Sequence, residues 1–200
     1  MSFLVTKTAP DFTATAVLED NTFDEAFSLA SLRGNYVVLF FYPLDFTFVC
    51  PTEILAFDEA LEDFRSRDAE VVGVSVDSHF THAAWKRTDL EEGGIGPIRY
   101  PLVSDLNKTI ARDYGVLLDD GVALRGLFLI DREGIVRHAL VNDLPLGRNV
   151  YEALRILDAL RYHEIKGDVC PANWNEGDEG FAESQDGVVD FLSEYAAKKD

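Results

Sequence analysis

The segment Asn35-Tyr-Val-Val-Leu-Phe-Phe-Tyr42 limits the possible folds of this chain more than any other. From Tyr36 onward it is continuously apolar, aromatic and β-branched, with no polar residue alternating in. Such a run predicts a strand buried on both faces, which requires a sheet covered by helices. Pro43 ends it. After Pro51, the residues Ile54, Phe57, Leu61 and Phe64 recur at helical spacing, with Glu59, Glu62, Asp63 and Arg65 between them. That pattern predicts an amphipathic helix with Pro51 in its first turn.

The same reading continues down the chain. Glu70-Val-Val-Gly-Val-Ser-Val76 is a second buried strand, followed by a helix around Thr81 to Lys86 and a Gly-rich loop at Gly93-Gly-Ile-Gly96. Asn107 to Tyr114 reads as a short helix. Arg125 to Ile130 is a strand, Asp131-Arg-Glu-Gly134 a turn, and Ile135 to Val141 its hairpin partner. Asn149 with Glu152 resembles a capping box, ahead of a helix with Val150, Leu154, Leu157 and Leu160 on one face. Strands and helices in this order predict an α/β fold with a mixed sheet. From about Lys166, Gly, Pro, Asn and acidic residues replace the periodic pattern. Residues 164–200 carry ten acidic and three basic side chains. The expected organisation is a domain over residues 1–165 and a C-terminal arm over 166–200, with a short helix around Val188 to Tyr195.

Composition excludes several functions. A 200-residue chain that is 47% hydrophobic has enough apolar material to build a core. With 18 basic against 36 acidic residues, the formal net charge is −18. That charge repels phosphate backbones and anionic lipid, so neither nucleic acid nor membrane is an expected partner. The N-terminus lacks the pattern of a secretory signal, and the longest apolar run is too short to span a bilayer. The expected location is the cytoplasm. His79 and His82 have no third ligand at motif spacing and read as packed or exposed histidines, so no metal is expected. The glycines at 93–96 do not lead from a strand into a helix, so no dinucleotide cofactor is expected either.

Only two cysteines occur, Cys50 and Cys170, separated by 119 residues. Neither belongs to a CxxC pair, which argues against a disulfide reductase. Cys50 falls where a buried strand, a turn and a helix start meet. A thiol there faces unsatisfied backbone N–H groups and the positive end of the helix dipole, and both favour the thiolate. Thr47, three residues earlier, can aim its hydroxyl at the sulfur or at a substrate. By spacing alone, Cys50 reads equally well as a nucleophile or as a small buried hydrophobe.

The residues Phe41-Tyr-Pro-Leu-Asp-Phe-Thr-Phe-Val-Cys-Pro-Thr-Glu53 decide between these readings. This stretch resembles the active-site loop of the typical two-cysteine peroxiredoxins of the alkyl hydroperoxide reductase C type. The likeness extends to Ala9-Pro-Asp-Phe12, Val74-Ser-Val-Asp77, Gly93-Gly-Ile-Gly-Pro97, Tyr100-Pro-Leu-Val-Ser-Asp105 and Asp113-Tyr-Gly-Val116. It continues through Arg125 to Asp131, Asn142-Asp-Leu-Pro-Leu-Gly-Arg148 and Gly167-Asp-Val-Cys-Pro-Ala-Asn-Trp174.

The resemblance implies a thioredoxin-like fold and a thiol-dependent peroxidase that needs no cofactor. It places Pro43, Thr47, Cys50 and Arg125 at the peroxide site, with Glu53 and Arg148 orienting it. It implies that Cys50 becomes a sulfenic acid and that Cys170 resolves it from the other subunit of a homodimer. Thioredoxin or a flavoprotein disulfide reductase would then restore the thiols. It also implies a ring, usually a decamer, for which Phe46, Phe80 and Trp85 are the interface candidates. Family members that peroxide readily inactivates carry a GGLG loop and a C-terminal Tyr-Phe pair. Here the loop is GGIG and Tyr195 is followed by Ala196, so a fairly robust enzyme is expected. A holdase chaperone or redox relay is the rival expectation.

Overall fold

The computed structural model describes residues 3–197. These fall into two compact units that divide between Val150 and Tyr151. The first contains a seven-stranded mixed sheet with strands β1 (Thr13–Val17), β2 (Phe23–Ser28), β3 (Tyr36–Phe41), β4 (Ala69–Ser75), β5 (Leu102–Ser104), β6 (Arg125–Ile130) and β7 (Val136–Asn142). Their spatial order is β2-β1-β5-β4-β3-β6-β7. The central trio β5, β4 and β3 is parallel; β6 and β7 on one side, and β1 and β2 on the other, run antiparallel to their neighbours.

The expected central strand is β3. All six of its residues are buried, as are all six of β6. Val37, Leu39 and Phe41 point into one cluster with Val72, Val74, Phe128 and Ile130, whereas Phe40 stacks on Phe57 with centroids 4.4 Å apart. Both faces of β3 are thus covered, which is why its sequence does not alternate.

The sequence reading missed β1, β2 and β5. β1 is only Thr-Ala-Thr-Ala-Val, β2 carries Asp24 and Glu25, and β5 has three residues. Such segments are held by pairing and burial more than by propensity. Asn21 closes the β1–β2 turn at φ 67°, a left-handed conformation that asparagine tolerates.

The helix after Pro51 forms, but in two pieces, α1 (Cys50–Glu59) and α2 (Leu61–Arg65). The break at Ala60 falls where the Asp58 carbonyl accepts a 2.6 Å hydrogen bond from Arg99 Nη2. Next come α3 (His79–Arg87), capped by the Ser78 side chain on Thr81 N, and α4 (Thr109–Asp113). The GGIG loop turns back onto the end of α3. Ile95 N donates to Trp85 O, Gly96 N donates to Thr88 O, and Gly93 O accepts from Trp85 Nε1 at 2.9 Å. A Cβ on Gly94 would lie 1.9 Å from Thr88 O, so only glycine fits there.

The second unit contains most of α5 (Val150–Lys166) and all of α6 (Gln185–Ala197). The intervening segment folds back on α5. Arg155 Nη1 donates to Trp174 O at 2.7 Å, Gly180 N donates to Tyr162 Oη at 2.9 Å, and Tyr162 packs on Trp174. Val169 and Phe181 form an antiparallel bridge, and Phe181 stacks on Phe191 of α6. Among the described residues, no helix is long and apolar enough to cross a membrane.

Candidate active site

Cys50 is the first residue of α1, preceded by Val49 as N-cap and followed by Pro51. Pro51 lacks an N–H, which costs nothing in a first turn whose N–H groups have no helical acceptor. The Cys50 side chain is 1% exposed. Arg125, from the start of β6, brings Nη1 to 3.5 Å from Cys50 Sγ and to 2.6 Å from Glu53 Oε2. Its Nε donates to Leu144 O at 2.7 Å. One guanidinium therefore ties the sulfur to a carboxylate three residues further along α1 and to the loop after β7.

Glu53 is the centre of this arrangement. Its Oε1 accepts from the backbone N and from Nε of Arg148, at 2.9 and 2.7 Å, and its Oε2 accepts from Arg148 Nη2 at 2.9 Å. Arg148 Nη1 is spent on two carbonyls, Phe41 O and Gly126 O. The Arg148 guanidinium also lies over the Phe40 ring. Burial lowers the Arg148 pKa from its ordinary value, opposed by the bonds to Glu53. Arginine still stays charged at physiological pH. Two guanidiniums against one carboxylate leave one excess positive charge beside the sulfur.

The loop from Pro43 to Val49 is tied down separately, by groups the sequence did not point to. Asp45 is buried; its Oδ1 accepts from Tyr42 Oη at 2.9 Å, and its Oδ2 lies 2.7 Å from His82 Nδ1 on α3. Its backbone N donates to Asp77 Oδ2 at 2.8 Å, which Ser75 Oγ also reaches. Burial, then the Asp45 charge, raises Tyr42 well above the ordinary phenol value, so its hydroxyl remains a donor. His82 is thus a packed histidine with a carboxylate partner. Among the described residues, no group of side chains is arranged to hold a metal ion.

Phe46 sits in this loop at φ 52°. For an aromatic residue that conformation costs about 1–2 kcal/mol, offset by packing on Trp85 at 5.7 Å. Pro43 is buried. Thr47 Oγ1 donates to Leu44 O at 2.8 Å, so its proton is used within the loop and its lone pairs remain available.

The interface candidates separate in the structure. Phe46 and Phe80 are 48% and 67% exposed, whereas Trp85 is fully buried. Trp85 therefore backs Phe46 from inside and presents no surface of its own. Phe80 meets Phe23 edge-on and packs on His79. Cys170, in the second unit, is half-buried with Sγ 3.5 Å from Ala159 O. Burial raises its pKa, with Arg155 opposing. Both cysteines are free.

A buried thiol at a helix start, gripped by an arginine–glutamate–arginine bridge on this mixed sheet, defines a thiol-based redox enzyme. The chain belongs to the AhpC/TSA family, whose model matches residues 5–139. A second model, the C-terminal domain of 1-Cys peroxiredoxin, matches residues 159–194, a stretch that here contains Cys170. Alkyl hydroperoxide reductase C of Helicobacter pylori strain J99 is 54% identical over 98% of this chain and 99% of its own length. Mouse peroxiredoxin-2 is 54% identical over 94% of this chain and 95% of its own. The crystal structure of reduced Plasmodium vivax 2-Cys peroxiredoxin superposes with a TM-score of 0.94 at 54% identity, covering 96% of this chain and all of that one. The fold is thus the thioredoxin-like fold of the peroxiredoxins, and the protein is a thiol-dependent peroxidase.

Proposed function

We propose that Cys50 is the peroxidatic nucleophile, on the strength of one contact above all: the Arg125 N–H that reaches its sulfur at 3.5 Å. A cation in contact with sulfur stabilises negative charge there, and the thiolate is the reactive form. The thiolate attacks the outer peroxide oxygen, the O–O bond breaks, and the leaving oxygen departs as hydroxide or alkoxide and takes a proton from water. The product is Cys50 sulfenic acid.

Negative charge moves from sulfur onto oxygen during this step, and fixed donors at that position lower the barrier. Arg125 and the Cys50 N–H supply donors. With its own proton committed to Leu44 O, Thr47 Oγ1 accepts the peroxide O–H and fixes the inner and outer oxygens in order. Pro43 shields the site from water. Glu53 and Arg148 position Arg125 and do not touch substrate.

Cys170 resolves the sulfenic acid from the second chain of a homodimer, forming a disulfide and releasing water. Cys50 is buried, so the first turn of α1 and the segment carrying Cys170 open locally for the sulfurs to meet. Residues 1–165 act as the peroxidase domain and 166–200 as the resolving arm. A thioredoxin or a flavoprotein disulfide reductase reduces the disulfide by exchange. Hydrogen peroxide and small organic hydroperoxides are the substrates, and the cytoplasm is the site of action. Exposed Phe46 and Phe80 support assembly of dimers into a ring, with a decamer as the expected size.

Peroxide turnover with each candidate reductant tests this reading. Cys50→Ser abolishes consumption, and peroxide converts the wild type to a disulfide-linked dimer on non-reducing gels. Cys170→Ser prevents that dimer. A covalent monomer with an internal disulfide contradicts resolution between chains.

A further inference from the structure

Helix α1 is held from two sides. Its first turn is held by Glu53 and the two arginines. Its second half is held by the segment that leaves the GGIG loop. Tyr100 Oη donates to Ile54 O at 2.8 Å in a fully buried contact, and burial keeps the phenol protonated. Arg99 N donates to Asp58 Oδ1 at 2.7 Å, Arg99 Nε lies 3.3 Å from both Asp58 carboxylate oxygens, and Arg99 Nη2 donates to Asp58 O at 2.6 Å. Phe40 packs against both Phe57 and Tyr100. Between Val49 and Glu53 the ties are lighter: Cys50 Sγ meets Arg125 Nη1 at 3.5 Å, Pro51 has no N–H, and Thr52 is exposed and donates both its N–H and its hydroxyl to Val49 O.

We infer that Arg99 and Tyr100 form a clamp that fixes where α1 stops unwinding during the catalytic cycle. The inference rests on the reading that a Cys50–Cys170 disulfide requires local opening. The clamp confines the opening to Cys50, Pro51 and Thr52, and the helix beyond Ile54 remains as a template on which the peroxide site re-forms. That bears on two competing fates of the sulfenic acid. In one, Cys50–SOH and Cys170–SH condense to a disulfide and water. In the other, Cys50–SOH meets a second peroxide, gains its oxygen to become the sulfinic acid, and releases an alcohol or water. A short opening that starts at the sulfur serves the first without dismantling the core around Phe57. Arg99 and Tyr100 are positioning residues and touch neither substrate nor sulfur.

The test is amide hydrogen exchange on the full-length protein, reduced and peroxide-oxidised, read on peptides across residues 46–60. Oxidation of the wild type is expected to speed exchange before Glu53 about tenfold or more, while Leu55 to Glu59 stays within about twofold. In oxidised Tyr100→Phe, exchange at Leu55 to Glu59 rises about tenfold, and in the reduced variant it does not. A purely structural role moves both redox states alike and overturns the inference. So does an oxidised wild type that exchanges fast through Leu55 to Glu59, or an oxidised variant that matches wild type. Arg99→Gln is the second variant if Tyr100→Phe does not fold. Absence of the disulfide by intact mass sinks the underlying reading and shows separately from the exchange pattern.

Discussion

Glu53 and Arg148 lie 95 residues apart in sequence and meet in a pair in which both side chains are almost completely buried, at 2.7 Å. Arg125 joins the same carboxylate from the other side at 2.6 Å. A buried charge group of this kind survives only because each member has a partner, and removing the central carboxylate leaves two guanidiniums facing each other without one.

Glu53→Gln should therefore destabilise the fold by about 3–5 kcal/mol and slow Cys50 oxidation, since Arg125 loses its anchor. Urea denaturation reads the first effect. A loss below about 1 kcal/mol would show that the pair behaves like an exposed ion pair.

Arg125→Met removes the donor at the sulfur. The second-order rate of Cys50 oxidation, followed by stopped flow, should fall about 10²–10³-fold, the usual cost of one fixed donor to developing charge. Arg125→Lys should recover little, because an ammonium lacks the planar fork that reaches Cys50, Glu53 and Leu144 O together. Wild-type rates in either variant would remove Arg125 from the mechanism.

Lys86, on α3, is buried, with its ammonium on Leu18 O. Burial lowers its pKa from 10.5 to about 8. Between those values the unfolded chain holds a proton that the folded one has released, so this group adds stability as pH rises from about 8 to 10.5. Relative to Lys86→Met, the wild type should gain stability over that window. Denaturant midpoints at several pH values check it; a flat or falling difference contradicts the assignment.

The acidic segment around Cys170 bears on the reductant. If the reductant docks there through basic groups, disulfide reduction should slow as salt rises from about 0.05 to 0.3 M, while peroxide oxidation of Cys50 does not. A salt-insensitive reduction step rules out charge-guided docking.

Ala196 stands where peroxide-sensitive relatives of this type are expected to carry Phe. The wild type should resist inactivation at low micromolar peroxide, and Ala196→Phe should raise the fraction inactivated per turnover. Rapid loss of wild-type activity under those conditions would remove the robust phenotype.

The elements legible in the sequence are those whose own residues carry a strong signal. Tyr36 to Phe41 reads as a doubly buried strand because nothing polar interrupts it, and β6 reads as a strand through the apolar run that follows Arg125 and Gly126. α1 shows through its apolar spacing, though the break at Ala60 does not; the Asp58 carbonyl beside it is taken by Arg99, distant in sequence. β1 and β2 are invisible because segments rich in Ala and Thr or carrying acidic residues become strands only beside a partner, and β5 because three residues are too few to show a pattern.

The site divides in the same way. The sequence alone determined that Cys50 opens a helix after a buried strand, and that Cys170 is its only possible thiol partner in the chain. Local order and the inventory of residue types are written in the chain itself. Tertiary structure decided that Arg125 reaches the sulfur, that Glu53 is shared by two arginines, and that Asp45 rests on His82 rather than in solvent. Charge and hydrogen-bond partnerships across 37 to 95 residues arise only once the sheet has formed, because burial makes an unpaired charge too costly to keep.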